Sequence, residues 1–156
     1  MAAQLNYGFS TPAGVPGGKF DISFDEVVTR ANEEKDGVMK YGLAVVAGTT
    51  AGKQVKVPAA GATADTFEGV TVALPDTEQD MDGVVTIKQN RALSIMRHGH
   101  IWGRIGKDVT PVYGGKAYVI VSGDEAGYFT TSADGTVDIG AKFGNATDDG
   151  IAVIEL

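Results

Sequence analysis

The chain has no cysteine among its 156 residues. That excludes disulfides, thiolate nucleophiles and cysteine-ligated zinc or iron–sulfur sites. Basic residues are scarce: 13 lysines and arginines stand against 20 aspartates and glutamates, a formal net charge of −7. A nucleic-acid binder needs a basic face to neutralise phosphates, and an anionic membrane surface draws the same kind of face. Neither partner is expected. No apolar run approaches the length of about 18 residues that a membrane-spanning helix requires. Residues 1–18 lack the basic cluster and apolar stretch of a signal peptide. Stability therefore has to come from burial, hydrogen bonding or association with partners.

What is abundant points to strands. There are 18 Val, 9 Ile and 14 Thr but only 5 Leu. β-branched side chains are stiff at χ1 and suit a pleated surface better than a helix. Glycine, at 22 residues, is about twice its usual share and fits a chain with many tight turns. A hydrophobic fraction of 43% is enough for a core and argues against global disorder.

Residues 1–20 read as an extended N-terminal arm, and residues 21–156 as the body. Pro12 and Pro16 forbid a helix interior, and Gly14, Gly17 and Gly18 weaken one further. Yet Leu5, Tyr7, Phe9, Val15 and Phe20 are too apolar for a solvated linker. Such a segment either packs on its own domain or reaches onto another subunit, and both readings stay open. Residues 24–36 carry some helix character, with Ser23 or Asp25 as a possible cap. Val27-Val28-Thr29 favours a strand followed by a charged turn.

From Gly37 onward short apolar runs alternate with turn clusters. The runs cover residues 38–47, 54–57, 67–73, 83–87, 93–105, 117–121, 127–131, 136–143 and 150–156. Short strands at this spacing predict an all-β sandwich or barrel. Asp82-Gly83 and Asp134-Gly135 are hairpin-turn dipeptides.

Chemistry-bearing patterns are weak. Gly48-Thr-Thr-Ala-Gly52-Lys53 has three residues between its glycines and is followed by Gln54, whereas a phosphate loop needs four and then Ser or Thr. A turn between strands is expected. The carboxylates of Asp76, Glu78, Asp80 and Asp82 resemble the start of a calcium loop, but the twelfth position counted from Glu78 is Gln89. His98 and His100 would share one face of a strand, which permits a metal pair, but no third ligand is evident. No Gly-x-Ser-x-Gly elbow occurs. Paired glycosidase carboxylates would come from distant strands and leave no local signature. Trp102 is the sole tryptophan. It reads as a core aromatic or as an interface anchor, since Trp and Arg dominate subunit contacts.

Several stretches taken in order resemble the structural cement, or decoration, proteins of tailed-phage capsids. They are the Pro/Gly-containing arm at 12–18, Val28-Thr29-Arg30-Ala31-Asn32-Glu33-Glu34, Tyr41-Gly42-Leu43-Ala44-Val45 and Val55-Lys56-Val57-Pro58-Ala59. Phe67-Glu68-Gly69-Val70-Thr71-Val72 follows. Then come Leu93-Ser94-Ile95-Met96-Arg97-His98-Gly99-His100-Ile101-Trp102, Val109-Thr110-Pro111-Val112-Tyr113 and Gly127-Tyr128-Phe129-Thr130. Residues 141–143 and 151–156 match in character. The acidic run 76–82 and His98, where arginine is frequent, depart from the pattern.

The resemblance implies an all-β protein with a small β-barrel or jelly-roll-like body and the extended arm. It implies a virion structural protein made in the host cytoplasm and seated on the outer surface of the capsid. There it would bind junctions between major capsid proteins and resist internal pressure. It implies no enzymatic activity and no cofactor. The expected partners are the major capsid protein and the chain itself, as a homotrimer. The arm residues Leu5, Tyr7, Phe9, Val15 and Phe20 are expected to contact the capsid or a neighbour. Arg97, His98, His100, Trp102, Arg104 and Tyr113 are the expected trimer contacts. A receptor- or glycan-binding β module, using Tyr113, Tyr118 and Tyr128, is the alternative.

Overall fold

The computed structural model describes residues 14–74, 81, 83 and 85–156. Ten strands build it: β1 (Glu26–Asn32), β2 (Ala44–Ala47), β3 (Gln54–Lys56), β4 (Phe67–Thr71), β5 (Ala92–His98), β6 (His100–Arg104), β7 (Lys116–Ile120), β8 (Phe129–Thr130), β9 (Thr136–Asp148) and β10 (Ile151–Glu155). A single 3-10 turn at Ala64–Thr66 is the one helical element among the described residues. The fold is all-β, as the composition predicts.

The first five strands close into a barrel in the order β1-β3-β2-β4-β5. The β1–β3 pair is parallel, and β5 closes the barrel antiparallel to β1. The other five form a second sheet in the order β6-β10-β9-β7-β8. Leu93, Ile95, Val45 and Val55 fill the barrel together with Met39 and Ile87. A larger cluster joins the two halves: Ala44, Val70 and Met96 from the barrel pack with Ile101, Val119, Phe129, Phe143 and Ile154 from the sheet.

Residues 93–105, one apolar run in sequence, are two strands in different sheets. The break is Gly99, whose φ of 124° is open to glycine alone. An added Cβ there would lie 2.9 Å from that of Asp25. Residues 85–87 join no named strand, although Ile87 is fully buried in the barrel. Asp134-Gly135 is not a two-residue hairpin, because β8 and β9 lie on opposite sides of β7. The tight hairpin is Asp149-Gly150, where Asp148 pairs with Ile151. Residues 48–53 are the predicted turn: they join antiparallel β2 and β3, with no helix after the lysine.

Candidate interaction surface

Residues 14–20 form a strap sewn between the two sheets. The Gly17 N–H donates to Trp102 O at 2.7 Å, Trp102 N–H to Gly18 O at 2.9 Å, and Phe20 N–H to His100 O at 3.0 Å. On the other side Ala73 N–H donates to Gly17 O at 2.8 Å. The strap thereby closes the open edge of β6 and ties it to the chain leaving β4. An unpaired edge would otherwise offer a row of free amides and carbonyls to any passing strand. Gly14 N–H donates to Asp148 Oδ2 at 3.1 Å, which fixes the strap's start.

The strap covers Trp102. Gly14 lies so close over the indole that an added Cβ would sit 2.3 Å from it. Phe20 meets the ring edge-on, with centroids 5.8 Å apart. Ile151 and Val153 complete the cluster, and Trp102 is 6% exposed. Of the five arm residues singled out from sequence, Leu5, Tyr7 and Phe9 lie outside the described residues. Val15 is 60% exposed, and Phe20 packs inside the chain.

The two histidines do not converge. Gly99 turns the chain between them. His98 ends β5 beside the Phe24 ring, with centroids 6.0 Å apart. His100 begins β6 and places Nδ1 2.7 Å from Asp21 Oδ2. Asp21 also accepts from Ser23 Oγ at 2.6 Å. The Ser23 hydroxyl, then His100, hold the Asp21 carboxyl down at about 2. No group of three His, Asp or Glu with metal-binding proximity occurs among the described residues. The acidic run 76–82 falls largely outside them.

Arg97 and Arg104, also expected at subunit contacts, are engaged within the chain. Arg97 donates to Glu68, which Arg30 also approaches at 3.3 Å, and Glu26 lies 4.0 Å away. Arg104 Nε donates to Tyr41 O at 2.8 Å. Tyr113 is free, on an exposed loop with Val112. Sequence reasoning did not single out Ile22, Phe24 or Val112 as contact residues, yet they are among the most exposed apolar side chains described. The alternation Asp21-Ile22-Ser23-Phe24-Asp25 was the available signal, but it fits a half-buried strand equally well.

A profile of the family described as structural cement protein (E217 gp24/Pam3 gp6) matches residues 3–156. The chain belongs to this family. This cement protein is thus a structural component of the phage virion, on the outer surface of the capsid, and is not an enzyme. No curated protein sequence matches it. Its fold is similar to that of a chain in the solved structure "The capsid of Myoviridae Phage XM1". The two share 15% identity with a TM-score of 0.74, over 99% of this cement protein and 97% of that chain.

Proposed function

We propose that this protein binds junctions between major capsid proteins and reinforces the shell against the outward pressure of packaged genome. The strap carries the reading. A segment that grips a neighbour holds load only if its root is fixed. Here the chain following residue 13 is bonded at once to both sheets, through Gly17, Gly18 and Phe20. Tension entering at Gly14 passes into β6 and the chain beyond β4 instead of peeling a loose tail. Many copies on one shell would add avidity, since each bound contact raises the effective concentration of the next. A ligand that binds the assembled state stabilises it by mass action.

The test separates the grip from its root. Residues 2–12 are deleted in one variant, which leaves the strap intact. A second variant, Gly17→Val, keeps the arm and disrupts the strap. Both are mixed with shells lacking the protein, and bound protein is measured by sedimentation. Filled heads are then heated, and DNA release is followed. Wild type should raise the release temperature and both variants should raise it less. Release at one temperature with and without wild-type protein sinks the reinforcing role.

A further inference from the structure

We propose that the end of the molecule at the β5–β6 turn is a two-pronged apolar face that seats in hollows on the capsid shell. The inference rests on the shell-binding reading above. It adds which face meets the shell and what chemistry the shell offers there.

The strand register defines that end. Lys116 stands opposite Lys142, Lys142 opposite Glu155, and Glu155 opposite His100, so one row crosses the second sheet from β7 to β6. Beyond this row lie the loop before β7, the turn at Gly99 and the segment leading into β1. Ile22 is 105% exposed and Phe24 81%, with Val27 beside them. Val112 and Tyr113, at 65% and 73%, project from the loop before β7. These five are most of the large apolar side chains exposed among the described residues, so the patch is concentrated and not scattered. The roots of the two prongs are separated by three strand spacings, about 14 Å.

Both prongs are held. Gly114 N–H donates to Phe143 O and Phe143 N–H to Gly115 O, each at 2.8 Å, which fixes the loop carrying Val112 and Tyr113 to β9. On the other side Asp21 is tied to Ser23 and His100, Asp25 to Lys19, and Phe24 rests on His98. Ordering costs at binding are therefore already reduced.

Several carboxylates at this end are matched within the chain. Asp21 has His100, Asp25 has Lys19, Glu68 has Arg97 and Arg30, and Asp138 has Lys116. A face of this kind asks its partner for apolar concavity and not for countercharge. The described hollows of a second copy are poor receivers. Three hollows among the described residues have charged walls: Asp65, Glu68 and Arg97 in one, Lys40 and Arg104 in another, Lys40 and Asp124 in a third. A protein on the capsid's outer surface must turn one face to the shell, and this end gathers most of the exposed large apolar side chains among the described residues.

Shells lacking the protein are mixed with wild type, with Ile22→Ser/Phe24→Ser, with Val112→Ser/Tyr113→Ser, and with Val38→Ser. Val38 is exposed but lies beyond the far end of β1. All four proteins should melt alike, since the altered side chains are exposed. Each double variant should bind at least about tenfold more weakly, and Val38→Ser like wild type. Wild-type affinity should change less than about threefold between about 50 and about 500 mM NaCl. Doubles that bind as wild type does, or a steep salt dependence, overturn the proposal. So do doubles that lose self-association in sedimentation while keeping the shell, which would make the face a contact between copies. Wild type that fails to bind at all defeats the shell-binding reading, and this one with it.

Discussion

Gly17 and Gly42 meet where the strap crosses from one sheet to the other. Both have left-handed φ, 78° and 76°. An added Cβ on Gly17 would lie 2.7 Å from Thr71 O and 2.8 Å from Ala73 N, both backbone atoms that cannot swing away. Gly52 has nearly the same φ, 77°, but open space around it. The pair therefore separates two costs. Gly52→Ala carries only the left-handed penalty, about 1 kcal/mol. Gly17→Ala carries that and the collision, so a loss of at least about 3 kcal/mol is expected. Urea midpoints of the two variants check this. Equal midpoints would mean the strap gives way at little cost and is not a fixed root.

At the scale of elements, the strap continues into the segment that Asp21 anchors. The Asp21 carboxyl is held at about 2 against an ordinary 3.8, first by Ser23 and then by His100. A depressed carboxyl contributes stability that is present above its unfolded value and lost as pH falls through the folded one. The anchor should therefore loosen between about pH 4 and pH 2. Asp21 is partly exposed, so solvent screening keeps the effect small. Glu33 and Asp138 are also lowered, by Thr49 and Lys116, and contribute to the global acid response. Trp102, as the sole tryptophan and the residue beneath the strap, reports the local part. Acrylamide quenching of Trp102 should rise in wild type across that pH range. Asp21→Asn should quench more than wild type at pH 6 and change less on acidification. Identical curves for the two proteins would show that this anchor does not hold the strap.

The same elements show what the sequence makes legible. Runs rich in Val, Ile and Thr became strands because their side chains fit a pleated, half-buried surface whatever the topology. The division at Gly99 was not legible: apolar residues continue on both sides, and only a backbone angle separates barrel from sheet. The strap was half legible. Its prolines and glycines announced irregular backbone and its aromatics announced packing, but its partner strand lies more than eighty residues further along the chain. His98 and His100 do not share a face, because an i, i+2 spacing places two side chains together only if the strand runs straight between them. The exposure of Ile22 and Phe24 is a property of what the fold leaves uncovered, which no local pattern encodes.

At the scale of the whole molecule, barrel and sheet share one core. Phe129 shows why they cannot act as separate domains. Its ring is fully buried, Gly103 of β6 faces it closely enough that an added Cβ would lie 2.9 Å away, and it belongs to the cluster containing Ala44, Val70 and Met96 of the barrel. The backbone repeats the connection: Gly106 N–H donates to Phe129 O, and Ala44 N–H in β2 to Gly127 O, both at 2.9 Å. A force applied at the strap then meets one body, as the proposed reinforcing role requires. Phe129→Ala should cost about 3–5 kcal/mol through lost burial and the cavity left behind. The transition should also remain single, with Trp102 fluorescence and far-UV circular dichroism giving one midpoint in wild type and variant alike. If the variant's Trp102 signal moves to lower denaturant while the dichroism separates into two steps, the barrel folds on its own. Load entering through β6 would then be borne by the second sheet alone.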